Sequence, residues 1–148
     1  MKFEEKERRI RALIKLHLPD YHFRFDNRTT TLGLHWGNLK LITLSKSYVE
    51  LNPWKDIRDT VLHEVAHGLV GSEHNHDKVW KAKAKELGAA PYRCAQHPVI
   101  SPPKKFIGTC PTCGREIYRN ARRNISCGKC SKTYNPQHKF VWRRNENQ

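Results

Sequence analysis

The sequence predicts an α+β fold: helices packed on a small antiparallel sheet, followed by a small β-rich module built around cysteines. Three observations predict it. Residues 4–18 repeat apolar side chains at helical spacing. Residues 21–51 hold short alternating or apolar runs broken by glycine and asparagine. Two CxxC units stand in the last third of the chain.

Taken in order, EEKERRIRALIKLHL (4–18) reads as an amphipathic helix with Ile10, Leu13, Ile14 and Leu18 on one stripe, ended by Pro19-Asp20. Tyr21–Phe25, Thr31–Trp36 and Leu39–Leu44 read as strands, with Gly37-Asn38 a turn between two of them. Asn52-Pro53 reads as a helix start, a capping side chain followed by proline at the first helical position. That helix runs to about Val70 and stops at Gly71. Its expected buried stripe is the stem of Arg58, then Val61, Leu62, Val65, Ala66 and Leu69. A third helix spans about Asp77–Leu87, with Val79, Trp80, Ala84 and Leu87 facing the core. The segment AQHPVISPPKK (95–105) holds three prolines and little periodicity, so it reads as a linker between a domain over 1–94 and a module over 106–148. Trp36 and Trp54 are expected in the core, and the polar tail Arg143–Gln148 is expected to fray.

At 148 residues there is room for one modest core and a small appendage. Hydrophobic content of 37% and charged content of 28% are those of a globular chain rather than a disordered one. No apolar run approaches the roughly 18–20 residues that cross a bilayer. The stretch MKFEEKERRI mixes charges without an apolar centre, unlike a secretory signal. The expectation is a cytoplasmic protein without a membrane partner, nucleoid-associated or, for a viral chain, in the host cytoplasm.

Chemistry enters at LHEVAH. His63 and His67 are four apart, so a helix stacks them on one face where both imidazoles can hold one zinc ion. Glu64 sits beside them, placed to accept a proton and pass it on. A catalytic zinc takes three protein ligands and keeps one position open. Three side chains compete for the third place: His76, at the opening of the next helix; His74, two residues earlier; and Glu86, 19 residues past His67 on a Lys-rich helix. The turn after Gly71 is long enough to swing His76 back, which favours it, but coordination rules alone leave the choice open. The HExxHxxGxxH pattern fails, because Val70 and Glu73 stand where its glycine and histidine belong, and Met1 is the only methionine.

Cys110, Cys113, Cys127 and Cys130 form two CxxC knuckles separated by 13 residues, the spacing of a closed Cys₄ zinc ribbon whose metal is structural. A module this small has too little core to fold alone, and the metal compensates. Net charge is +14, and residues 104–148 hold 11 Lys+Arg against 2 Asp+Glu, a bias that attracts nucleic acid. Arg115, Tyr118, Arg119, Arg122 and Arg123, between the knuckles, are the candidate phosphate and base contacts. Phe140, Val141 and Trp142 are expected to complete the ribbon core. Cys94, Tyr92 and the histidines 17, 22, 35, 97 and 138 lack motif context and are read as structural or surface residues.

The run DTVLHEVAHGLVGSEHNHDKVWKAKAKELGAAPYRC resembles the signature of the SprT-like metallopeptidases: HExxH, a glycine-containing turn, then a histidine with an aromatic four positions on, here His76 and Trp80. LGLHWGNLKLITLS resembles the strand that precedes the family's active-site helix. The match covers residues 25–95 and includes a ribbon tail that some members carry. Many relatives have glycine where this chain has Asp77. The resemblance implies a zincin-like domain with zinc on His63, His67 and His76, Glu64 as acid and base, and proteins bound or crosslinked to DNA as substrates. Leu39–Ser45 is expected to offer a free edge to an extended peptide. The rival reading is a zinc-ribbon nucleic-acid adaptor, in transcription or replication, whose HExxH domain is only a scaffold.

Overall fold

The computed structural model describes residues 1–146 and divides into two compact units, Met1–Pro102 and Pro103–Gln148. In the first unit the order is α1 (Phe3–His17), β1 (His22–Asp26), β2 (Gly33–Trp36), β3 (Leu41–Ser45), α2 (Lys46–Leu51), α3 (Trp54–Val70) and α4 (Lys78–Leu87). In the second it is β4 (Phe106–Thr109), β5 (Glu116–Arg119) and β6 (Val141–Arg144). The α+β class is as expected from the sequence.

The first sheet departs from the antiparallel one expected. Its order is β1-β3-β2, with β2 antiparallel and β1 parallel to β3. The strand expected as a free edge, β3, is therefore central. Ile42 and Leu44 are fully buried, and Thr43 and Ser45 nearly so. A strand covered on both faces reads as an unbroken apolar run, and LITLS is one. The free edges are β1 and β2.

α1 lays Ile10, Ile14 and Leu18 on this sheet, beside Ile57, Val61 and Val65 of α3. The opposite side of α3, Leu62 and Ala66, packs on Trp80 and Ala84 of α4. α3 is thus buried on two sides, which makes Ile57 core and leaves Arg58 and Leu69 exposed, against expectation. Val79 is also exposed, because only Trp80 and Ala84 of its turn of α4 reach α3. Trp36 lies at the surface under the Arg28 guanidinium, whereas Trp54 packs on the core.

Asn52 does not cap α3, whose N-cap is Pro53. Its buried amide donates to Tyr48 O and Ile100 O, at 2.9 and 2.8 Å, and its Oδ1 accepts from Ile100 N at 2.9 Å. A distant backbone outcompeted the local cap. The segment expected as a linker is accordingly held in the first unit as far as Pro102, with Val99 against the core.

Lys6 is nearly buried on α1. Its Nζ donates to the carbonyls of Val49, Asn52 and Glu50, at 2.8, 2.7 and 3.3 Å, closing the C-terminal end of α2. A cation suits those otherwise unpaired carbonyls. Lys6→Met keeps the stem and strands the carbonyls, so it is expected to cost about 1.5–3 kcal/mol, the range for hydrogen bonds to a charged group. A lower urea midpoint, followed by circular dichroism, checks this.

Candidate metal centre

Helix α3 carries His63, Glu64 and His67. After Gly71 the chain turns, and His76 takes a left-handed backbone conformation, φ 56°. That conformation is uncommon outside glycine, with histidine among the tolerated residues. It turns the His76 ring back toward α3. The three Nε2 atoms converge: His63 to His76 is 3.0 Å and His67 to His76 is 3.1 Å. Three nitrogens around one tetrahedral ion at roughly 2.0–2.1 Å stand about 3.3 Å apart, so this spacing fits a shared metal. The three form a group able to hold an ion.

The other two candidates for that place point elsewhere. His74 Nδ1 bonds Asp77 Oδ2 at 2.7 Å, and Asp77 Oδ1 caps α4 by accepting from Trp80 N at 3.0 Å. Glu86 is exposed and paired with Lys83 at 2.8 Å. Asp77 is therefore a helix cap that also ties down His74.

Trp80, fully buried, forms the floor. Its ring lies 4.6 Å from those of His63 and His76 and 5.3 Å from that of His67. Its indole N–H has no hydrogen-bond partner among the described residues. Burial holds the imidazoles neutral, the form that ligates: His63 falls to about 3 and His67 to about 4, with the neighbouring histidines adding to the effect. His76 is also lowered, by burial first and then by Arg93 and Lys81. Burial pushes the Glu64 carboxyl up to about 8.

β2 lies along this face of α3. A Cβ on Gly33 would sit 3.2 Å from Glu64 Cγ, 3.3 Å from Glu64 Oε1 and 2.7 Å from Leu44 Cδ2, so only glycine leaves the carboxyl its place. Two residues on, on the same side of the strand, His35 stacks near His67 with ring centres 6.2 Å apart and 19° between planes. His35 Nε2 and Tyr21 Oη are hydrogen-bonded at 2.9 Å. Sequence reasoning set His35 aside and never considered Tyr21. The available signal was period two: Gly33 and His35 share a strand face just upstream of the histidine helix.

In the second unit, Cys110, Cys113, Cys127 and Cys130 gather into one group with no disulfide. Cys110 to Cys130 is 3.9 Å and Cys113 to Cys127 is 3.7 Å, sulfur to sulfur. Four thiolates on a tetrahedral ion at about 2.3 Å stand about 3.8 Å apart. The sheet order is β5-β4-β6, all antiparallel. Phe140 is buried with Cys110 and Cys127, and Trp142 packs against them, while Val141 is 65% exposed on the opposite face. Arg143 and Arg144, expected to fray, belong to β6, and Asn147 and Gln148 lie outside the described residues.

The candidate nucleic-acid contacts do not share one face, Tyr118 lying opposite Arg119 and Arg122. Arg119 and Arg144 flank Phe106 in register, and the Arg122 guanidinium lies 5.1 Å from the Phe106 ring centre. Tyr118, in register with Ile107 and Arg143, is on the other face with its hydroxyl on Glu116. Arg123 offers its carbonyl to Trp142 Nε1 at 2.9 Å, and Arg115 is exposed beside the first knuckle. The structure does not bring these five residues into one patch.

Two groups that could each hold a metal ion, one of three histidines on a helix and turn and one of four cysteines, mark this small α+β protein. The chain belongs to the SprT-like family, whose model matches residues 3–99. It is 27% identical over 140 residues to a protein described as "Protein SprT-like" from Lactiplantibacillus plantarum, covering 80% of this chain and 88% of that one. No solved structure matches. No helix among the described residues is long and apolar enough to cross a membrane.

Proposed function

We propose that this chain is a zinc-dependent endopeptidase that cleaves proteins bound or crosslinked to DNA, with its basic cysteine module engaging the nucleic acid. The observation that carries this reading is the convergence of three neutral imidazole nitrogens beside a buried carboxyl. The donor sets fit zinc: three nitrogens leave a coordination position open for chemistry, and four sulfurs make a closed structural site. His63, His67 and His76 would hold the first ion; Cys110, Cys113, Cys127 and Cys130 would hold the second. When bound, the first ion supplies Lewis acidity to the reacting groups.

The chain's own residues then divide the work. Glu64 takes a proton from the attacking water as the C–O bond forms and returns it to the amine nitrogen as the C–N bond breaks. Gly33 leaves room for its carboxyl. Trp80 beneath and His35 alongside keep water from the ligand rings. The exposed side of β2 offers an extended peptide unpaired backbone groups next to Glu64, the role the sequence suggested for β3.

The test is digestion of a DNA-binding protein by zinc-loaded enzyme, with and without single-stranded DNA, beside Glu64→Ala. Cleavage that needs Glu64 and is raised by DNA supports the whole reading. Cleavage indifferent to DNA removes the partner. No cleavage with zinc present at both sites favours a nucleic-acid adaptor.

The geometry of Gly33 adds a finer expectation. Gly33→Ala meets Leu44 Cδ2 at 2.7 Å and presses the Glu64 carboxyl by a few tenths of an ångström, without touching a ligand. A misplacement near 1 Å costs on the order of 100-fold in rate, and this smaller one on the order of a few-fold. The turnover number on a peptide substrate is expected to fall a few-fold, with KM and zinc content unchanged.

A further inference from the structure

α1 and β1 bound a cleft of about 310 Å³ lined by residues of the first unit. Two periodicities line it with basic side chains. Arg11 and Lys15 are four apart on α1, and His22 and Arg24 are two apart on β1, so each pair shares a face. Ile14 and Tyr21 contribute an apolar floor. β1 is an edge strand, and its outer side is open.

Glu7 neutralises Arg11 at 2.7 Å, and Asp20 faces Lys40 at 3.9 Å. Among the described residues, no carboxylate lies within ion-pairing distance of Lys15 or Arg24, both exposed. The cleft is thus a pocket of nucleotide size with unneutralised positive charge on Lys15 and Arg24 and a part-buried aromatic ring.

We infer that this cleft binds the phosphate backbone of a single-stranded nucleic acid, a contact on the first unit separate from the one proposed for the cysteine module. The inference takes its ligand class from the proposed nucleic-acid partner. Arginine and lysine over an apolar floor suit phosphates with a base stacked below, whereas an acidic peptide has no flat ring for Tyr21. Tyr21 also links the cleft to the metal centre, because its hydroxyl bonds His35. A strand lying in the cleft is therefore two side chains, Tyr21 and His35, away from the histidine group, which places a protein attached to that strand within reach of Glu64.

The test uses the full chain and a fluorescein-labelled dT20, followed by anisotropy across a NaCl series. The charge reversal Lys15→Glu with Arg24→Glu is expected to weaken binding at least about 10-fold near 0.1 M salt. It should also flatten the log–log salt slope by about 1.4, two single-strand phosphate contacts at about 0.7 each. The charge-conserving pair Lys15→Arg with Arg24→Lys should bind like the unaltered chain. Amide resonances of residues 11–24 should shift on titration with dT6. Unchanged affinity and slope in the reversal variant overturn the inference, as does stronger binding of polyglutamate than of dT20. Loss of dT20 binding only through Arg119→Glu with Arg122→Glu overturns the cleft and leaves the cysteine-module contact standing. Loss only through the cleft pair does the reverse.

Discussion

Replacing Glu64 with alanine is expected to lower peptide cleavage by about 10³-fold or more while both metal sites stay filled. General acid–base groups contribute roughly 10²–10⁴-fold. In the proposed mechanism one carboxyl serves both proton transfers, so the loss belongs at the upper part of that range. The neighbouring titratable groups are otherwise engaged: His74 is tied to Asp77, Glu86 to Lys83 and His35 to Tyr21, and the imidazoles of the group are ligand candidates. Glu64→Gln should fail to the same extent, because it keeps the shape beside Gly33 and removes only the basic oxygen. Steady-state rates on a denatured protein substrate, with zinc content measured on the same samples, check this. A variant that retains a tenth of the activity would remove Glu64 from the chemistry.

The second large effect is expected in the cysteine module. Its buried apolar content is Phe140 with Cys110 and Cys127, supported by Ile117, Ile125 and Trp142 at its margins. Such a core is too small to hold roughly 45 residues unaided. Binding of a structural zinc supplies on the order of 10–16 kcal/mol, and in small modules that binding energy is the folding energy. Cys127→Ser is therefore expected to collapse the amide dispersion of β4, β5 and β6 while the signals of α1 to α4 persist. The first unit has its own core around Ile10, Ile42, Ile57 and Val61. Chelation should reproduce the pattern and added zinc reverse it. Dispersed β4–β6 signals in excess chelator would show a module that does not depend on metal.

What the sequence made legible was local in spacing. A four-residue repeat put His63 and His67 on one helix face, and two CxxC units marked the cysteine group, because those geometries depend on a few consecutive residues. His76 was legible as the preferred ligand among three. What fixes it, a left-handed backbone at His76 and an Asp77 cap that occupies His74, is turn geometry that spacing does not encode.

The misses share a cause: pairing between residues far apart in the chain. The central place of β3 comes from a parallel partner across an intervening strand, which no turn signal announces. Asn52 looked like a cap and became a tie to Ile100, and Lys6 looked like a solvated charge and became a lid on α2. α2, six residues long, has no full apolar repeat to reveal it. His35 carried no motif because its neighbour, His67, is 32 positions away and meets it only when β2 lies along α3. The basic residues between the knuckles read as one patch because a hairpin's two faces are indistinguishable until the register is known.

The central claim is that His63, His67 and His76 share one metal ion while the four cysteines share another. Metal content of the purified chain, by mass spectrometry of the elements, tests it most directly when His76→Ala is measured beside it. The account predicts two equivalents of zinc in the unaltered chain and one in His76→Ala, with the remaining equivalent resistant to mild chelation. Two equivalents persisting in His76→Ala, or a single equivalent in the unaltered chain, would contradict it.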